Sequence, residues 1–157
     1  MKETATNSPA KTIVECISNI VNNTEELGLC KELFQTSGSE LEYVSTMMNI
    51  NERQALIFSL FANEGVDGCF SLSDFSRTLK CKNIELLTFL TDVEELEKKY
   101  LIRKDYCRKN KELSTNYKMP IPVLTAIKNN EEYDHSKYLN ITNIDDLFNK
   151  IEDILDD

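Results

Sequence analysis

The residues that could do chemistry in this chain are five cysteines and a single histidine. Structural zinc normally takes four Cys or His ligands in closely spaced pairs, and the sequence contains no C-x-x-C pair. His135 lies well apart from every cysteine, so no Cys–His nucleophile is indicated either. We therefore expect no metal site, and we expect the cysteines to be small core residues. The cysteines are Cys16, Cys30, Cys69, Cys81 and Cys107.

Phosphate-binding loops are not found in the sequence. It contains neither G-x-x-x-x-G-K nor G-x-G-x-x-G, the two glycine-rich patterns that cradle nucleotide phosphates. We therefore expect no cofactor and no enzymatic activity from this chain. The odd number of cysteines favours a cytoplasmic protein over a secreted one, and no apolar run approaches the ~20 residues of a membrane-spanning helix.

A basic segment interrupts an otherwise acidic chain. The formal net charge is −9, yet residues 98–118 carry eight basic and two acidic side chains. An acidic chain is a poor general binder of nucleic acid, because attraction to phosphate dominates such binding. A local basic patch can still contact nucleic acid or an acidic partner. The candidate contacts are Lys98, Lys99, Arg103, Lys104, Arg108, Lys109, Lys111 and Lys118.

These side chains must be positioned by regular structure, because the 157 residues include only 4 Gly and 3 Pro. Residues 1–9 are polar, and we expect a disordered tail there. Residues 10–50 have apolar residues at helical spacing and are predicted to form an N-terminal helical segment. Within it, a first helix begins near Lys11, Thr24 is predicted to cap a second helix, and Ser39 is predicted to cap a third.

Residues 51–130 are predicted to begin with two capped helices and a long third one. Asn51 and Gln54 have the spacing of a capping box, and Ser71 and Asp74 repeat it. The third helix covers the stretch "NIELLTFLTDVEELEKKYLI", residues 83–102. Its inward seam is predicted to be Ile84, Leu87, Leu90, Val93, Leu96 and Tyr100. Its outer face would then carry Glu85, Asp92 and Glu95, which is an unfavourable charge for a helix that enters a DNA groove.

Two extended pieces and a short helix are predicted to complete this unit. "LIRKDYC" and "NYKMP" alternate in polarity around a polar tip and predict a β-hairpin. "PIPVLTAIKNN" predicts a short helix with Pro122 in its first turn. The order of elements predicts a mainly α fold with a small β-hairpin. Specifically, it indicates a winged helix-turn-helix flanked by extra N- and C-terminal helices.

Residues 131–157 are predicted to be a linker followed by an amphipathic helix. The stretch "TNIDDLFNKIEDILDD" has apolar residues at helical spacing as far as Ile154. Because this apolar stripe runs on with no glycine cap, we expect the helix to continue into a longer protein.

Three stretches of the sequence resemble a known family. They are "NINERQALIFSLFA", "SLSDFSRTLKCKNIELLTFLTDVEELEKKYLIRK" and "YKMPIPVLTAIKNN". Across about residues 38–157 the chain resembles the N-terminal winged-helix region of bacterial AAA-family ATPases of the Bacteroidetes type. The resemblance implies a regulatory or substrate-recognising domain. ATP hydrolysis would belong to another module, because no Walker A or Walker B segment is present here.

Two functions follow as expectations. The first is a non-catalytic regulatory or protein-interaction domain, whose partner is another protein or the remainder of its own ATPase chain. The alternative is a DNA-binding winged-helix regulator, with Lys82 and Asn83 near the bases and the basic wing on phosphates. The acidic third helix favours the protein partner. A third arrangement is a dimer formed by the helices before Asn51 and after Ile141.

Overall fold

The computed structural model describes residues 11–65, 71, 74–105 and 116–136. Predictions for the polar tail, for the hairpin tip and for the final amphipathic helix lie outside the described residues. The helices are α1 (Ile13–Leu27), α2 (Lys31–Thr36), α3 (Gly38–Met48), α4 (Glu52–Gly65), α5 (Phe75–Leu79), a 3₁₀ helix (Asn83–Phe89), α6 (Leu90–Lys98) and α7 (Ile121–Asn129). The strands are β1 (Arg103–Asp105) and β2 (Asn116–Lys118).

The fold is mainly helical with one two-stranded antiparallel sheet, and the predicted fold class is confirmed at that level. In the sheet, Arg103 lies opposite Lys118 and Lys104 lies opposite Tyr117. Alternation along β2 turns Tyr117 inward, where its ring centroid lies 5.6 Å from that of Phe61. Among the described helices, none combines the length and the apolar character needed to cross a membrane.

Helix α4 lies at the centre of the core. Every residue from Gln54 to Ala62 is buried, because α1, α3, α6 and β2 pack around it. Ser59 is accommodated in this apolar setting because its hydroxyl donates to the carbonyl of Ala55 at 2.7 Å. A single cluster of buried side chains runs from Ile13 to Tyr133, so the N-terminal helices and the later elements share one core.

The predicted capping box at the start of α4 is confirmed. The backbone N–H of Gln54 donates to Oδ1 of Asn51 at 2.8 Å, and the N–H of Asn51 donates to Oε1 of Gln54 at 3.2 Å. These bonds satisfy two backbone donors that the first turn of a helix leaves without a partner.

The predicted helix cap at Thr24 is wrong. Thr24 is buried within α1, and its hydroxyl donates to the carbonyl of Ile20 at 2.7 Å instead of capping a new helix. The helix ends at Gly28, whose φ of 73° lies in the left-handed region that favours glycine. Just after this end the chain contacts α5, because the N–H of Leu29 donates to the carbonyl of Leu79 at 2.8 Å.

The acidic stretch is not one long helix. It starts as a 3₁₀ helix and becomes α-helical only at Leu90. A 3₁₀ helix has three residues per turn, so its buried positions are Leu86 and Phe89. The predicted seam is therefore wrong over its first half, at Ile84, Leu87 and Leu90, and right at Val93 and Leu96. Because the 3₁₀ helix and α6 have different numbers of residues per turn, the buried positions do not follow one continuous seam along the stretch.

The segment after α7 is anchored by Tyr133, a residue that the sequence did not single out. Its side chain is buried, and its hydroxyl donates to the carbonyls of Lys99 and Tyr100 at 3.3 and 3.0 Å. Its backbone N–H donates to the carbonyl of Met47 at 2.7 Å. Tyr133 thus supplies donors to carbonyls at the ends of both α3 and α6, which those helices leave open.

Candidate functional site

The site that stands out is an exposed row of large apolar side chains on the acidic stretch. Ile84 is 66% exposed, Leu87 55% and Leu90 41%. Ile84 and Leu87 are one 3₁₀ turn apart on the same face, and Leu90, three residues further on, is the first residue of α6. We call Ile84, Leu87 and Leu90 the apolar row. Single exposed apolar residues are ordinary, whereas an aligned set on one face is a candidate contact surface.

The apolar row is held in place by Arg53 at the start of α4. Its Nε donates to Oδ2 of Asp92 at 2.7 Å, and its terminal nitrogen donates to the carbonyl and hydroxyl of Thr88 at 3.0 and 3.1 Å. The guanidinium also lies 4.1 Å from the ring centroid of Phe89. Arg53 therefore binds both helices of the stretch across the point where the 3₁₀ helix passes into α6.

Asp92 has a structural role that the sequence did not reveal. It was predicted to face outward with Glu85 and Glu95, but it is buried and paired with Arg53. Glu85 does lie at the surface, and its Oε1 accepts the backbone N–H of Lys82 at 3.1 Å, which caps the 3₁₀ helix. The acidic charge at the surface is thus smaller than the sequence pattern indicates.

Three of the predicted basic contacts are engaged within the fold. Lys98 lies 3.5 Å from Glu95, and Lys104 lies 4.0 Å from Glu97. Lys99 donates to the carbonyl of Asn49 at 3.1 Å, where α3 ends. The acidic partners of Lys98 and Lys104 partly offset their positive charges, whereas Lys99 keeps its full charge beside a neutral carbonyl.

The remaining described basic residues meet across the sheet. Arg103 and Lys118 are directly opposite each other in the register, and neither has an ion pair within the part of the chain that the structure describes. Like charges in that position are mildly destabilising, so this pair is the best candidate for an anion contact. Arg108, Lys109 and Lys111 lie outside the described residues.

Two depressions lie on the described surface, and neither is lined by a residue of the apolar row. An apolar groove of about 290 Å³ lies between α1, α4 and α7 and includes Val14 and Leu124. A shallow polar depression of about 580 Å³ near the end of α3 is lined by Lys99, Glu95 and Glu132 among others. In the described ranges, no group of three or more His, Cys, Asp or Glu residues could hold a metal ion.

The described cysteines differ in environment. Cys16 is fully buried, and burial raises the pKa of its thiol. Cys81 is half-buried, and burial followed by the charge of Glu85 raises its thiol pKa as well. A raised pKa lowers the thiolate fraction and therefore the reactivity. Cys30 is exposed, so the prediction of a core position is wrong for this residue because it lies at the start of α2.

Comparison with known proteins gives no relative for this chain. No family model, no curated protein and no solved structure matches it.

Proposed function

We propose that this chain is a non-catalytic protein-interaction domain of regulatory type, and that the apolar row is its contact surface. The single observation that carries the proposal is the alignment of Ile84, Leu87 and Leu90, exposed on one face. Full burial of a fully exposed large apolar side chain is favourable by about 1.5–3 kcal/mol, and a partner that covered these half-exposed side chains would gain a part of that for each. A protein partner provides that burial, whereas a DNA groove does not.

The order of elements supports a winged-helix architecture for this domain. Helices α4 and α5, the 3₁₀–α6 segment, the two strands and α7 follow one another in the order that such domains use. In that architecture the 3₁₀–α6 segment takes the place of the helix that usually enters DNA. Here the segment presents apolar side chains and acidic neighbours, which favours a protein partner in that position.

The proposed setting is the N-terminal region of an AAA-type ATPase. The support is the resemblance in the three sequence stretches around α4, the 3₁₀–α6 segment and α7. In that setting the domain receives a protein substrate or regulator, or contacts the remainder of its own chain. ATP binding and hydrolysis belong to the longer protein.

One observation favours DNA binding as a second candidate. Arg103 and Lys118 form a pair of like charges at the base of the predicted wing, and an anionic phosphate bound between them would relieve their repulsion. The acidic partners of Lys98 and Lys104 weaken this candidate, because they partly offset the positive charge of the segment.

A duplex DNA titration at low salt separates the two functions. We expect no saturable binding of a fluorescent duplex by the full chain. Saturable binding that weakens steeply with salt would overturn the proposal, because counterion release is the signature of phosphate contacts. Loss of that binding in the double variant Arg103→Glu with Lys118→Glu would assign it to the base of the wing. A Glu25→Gln variant, altered at an exposed residue of α1, is the matched control.

A further inference from the structure

Helices α3, α6 and α7 end with the same backbone geometry but with different residues. A residue in the left-handed conformation follows each helix: Asn49 (φ 59°) after α3, Tyr100 (φ 59°) after α6 and Asn130 (φ 55°) after α7. Asparagine tolerates this conformation, and helix ends commonly use glycine or asparagine there. A bulky residue such as tyrosine is unfavourable in the same conformation. Tyr100 is therefore a point of backbone strain.

Tyr100 lies where the chain passes from α6 toward β1. The backbone N–H of Leu101 donates to the carbonyl of Leu96 at 2.9 Å, a bond that the left-handed turn at Tyr100 makes possible. Leu101 and Ile102 are fully buried, and β1 begins at the next residue, Arg103. The conformation of Tyr100 thus sets the direction in which the chain leaves α6 for the sheet.

Tyr133 holds the two peptide groups on either side of Tyr100. Its hydroxyl, on a buried side chain, donates to the carbonyl of Lys99 at 3.3 Å and to that of Tyr100 at 3.0 Å. The first carbonyl belongs to the peptide group before the Cα of Tyr100, and the second belongs to the peptide group after it. Rotation about either backbone bond of Tyr100 would move one of these oxygens away from the hydroxyl. The two bonds therefore oppose relaxation of the strained residue.

Tyr133 is itself fixed by the end of α3. Its backbone N–H donates to the carbonyl of Met47 at 2.7 Å, and its carbonyl accepts from Nδ2 of Asn49 at 2.7 Å. The Nζ of Lys99 donates to the carbonyl of Asn49 at 3.1 Å, which ties the end of α6 to the same place. A strained conformation persists where its surroundings over-determine it, and this set of bonds meets that condition.

We infer that Tyr133 is a latch on a strained hinge at Tyr100, so that the segment after α7 controls the junction between α6 and β1. Strained residues recur at switch regions, and hinges are commonly a few residues at the ends of helices and strands. The chain that follows Ser136 continues directly from the latch, so a partner that displaces Tyr133 would free the hinge. The inference goes beyond the proposed function and does not depend on what the apolar row binds.

Hydrogen exchange at the backbone N–H of Leu101, measured by NMR on the full chain, tests the latch. Tyr133→Phe keeps the ring and removes the hydroxyl. It should make exchange at Leu101 about threefold to tenfold faster, because the closed state loses a hydrogen bond. Adding Tyr100→Gly should return exchange at Leu101 to within about twofold of the parent rate. Glycine adopts the left-handed conformation without strain and therefore needs no latch.

Thr24→Val is the matched control, because it also removes a buried hydroxyl that donates to a backbone carbonyl, here within α1. It should leave exchange at Leu101 unchanged. Unchanged exchange at Leu101 in Tyr133→Phe, equal acceleration at the amides of α4, or no recovery on adding Tyr100→Gly would overturn the latch.

A second measurement covers the case in which Tyr133→Phe alone does not fold. The double variant with Tyr100→Gly should then fold, as judged by circular dichroism, because its hinge is no longer strained. A double variant that also fails to fold overturns the latch. None of these results changes the proposed function, which the duplex titration tests separately.

Discussion

Helix α4 and the 3₁₀–α6 segment are neighbours in the fold, yet α4 buries its apolar side chains and the segment leaves several of its own exposed. Every side chain from Gln54 to Ala62 is buried, including two phenylalanines. The neighbouring segment buries Leu86 and Phe89 but leaves the three residues of the apolar row in water. Both stretches contain several large apolar residues, so the presence of such residues alone does not distinguish a buried face from an exposed one.

The difference comes from helix type and position. Helix α4 is surrounded by α1, α3, α6 and β2, so all of its faces have a partner. The 3₁₀ helix lies at the edge of the fold, and its period of three aligns one set of side chains inward and another outward. Arg53 fixes this phase through Asp92 and Thr88. We call α4 the closed region and the exposed face of the 3₁₀–α6 segment the open region. Burial in the closed region stabilises the fold, whereas the open region leaves apolar side chains accessible to solvent.

The largest effect should come from the closed region. Phe58→Ala removes a fully buried aromatic ring from α4 and should lower the free energy of unfolding by about 3–5 kcal/mol. Leu87→Ala, in the open region, should change it by less than about 0.5 kcal/mol. Urea denaturation of both variants measures the contrast. Equal losses in the two variants would contradict the division into closed and open regions.

A smaller loss is expected at the turn after α1, which packs against the end of α5. Gly28→Ala should cost about 1–3 kcal/mol, because an alanine there keeps a positive φ and its Cβ would lie 2.9 Å from Cβ of Lys80. Gly38→Ala is the matched control, since no atom lies within 4 Å of the added Cβ. Thermal unfolding should show a lower Tm for the first variant and no loss for the second.

Removing Arg53, which supports the apolar row, should lower the free energy of unfolding by less than the substitutions in the core and at the turn. Arg53→Ala should lower the free energy of unfolding by about 1–2 kcal/mol, because the carboxylate of Asp92, only 12% exposed, loses its partner. Hydrogen exchange should accelerate at the amides of residues 83–98 in particular. Lys98→Ala, which breaks an exposed pair with Glu95, is the control and should have little effect. Uniform acceleration across the chain would show that Arg53 has no special role in the segment.

The smallest effect is a dependence on pH at the start of α3. Burial alone would raise the pKa of Glu40, but hydrogen bonds from its own backbone N–H, from Ser39 and from Lys11 outweigh burial and hold it below 4.5. A lowered carboxyl pKa stabilises the fold above 4.5, and that stabilisation is lost as the pH falls through the folded-state value. Glu40→Gln should therefore reduce the acid sensitivity slightly, by less than about 1 kcal/mol. If the free energy of unfolding falls with pH by the same amount in Glu40→Gln as in the parent chain, this assignment is contradicted.

The sequence predicts the fold better than it predicts the surface. Helical periodicity and the Asn51–Gln54 capping box were sufficient for the first part of α1, for α3 and for the start of α4, because those signals are local. The end of α1 was misplaced at Thr24, which lies inside the helix. The apolar row was missed because the predicted seam turned Ile84, Leu87 and Leu90 inward, whereas the 3₁₀ helix turns Leu86 and Phe89 to the core. Asp92 was misplaced because its partner Arg53 lies 39 residues away, and a pair at that separation leaves no local pattern. Tyr133 was missed for the same reason.

The measurement that tests the central claim most directly is photo-crosslinking at the apolar row in cells. A photoreactive aromatic amino acid would replace Leu87 in the full-length protein, with the same replacement of Ile121 as control, because Ile121 is also apolar and is 77% exposed on α7. We expect a discrete protein adduct from position 87, lost on adding Ile84→Asp, and none from position 121. A nucleic-acid adduct at 87, or identical behaviour at both positions, would contradict the claim that this row is a protein-contact surface.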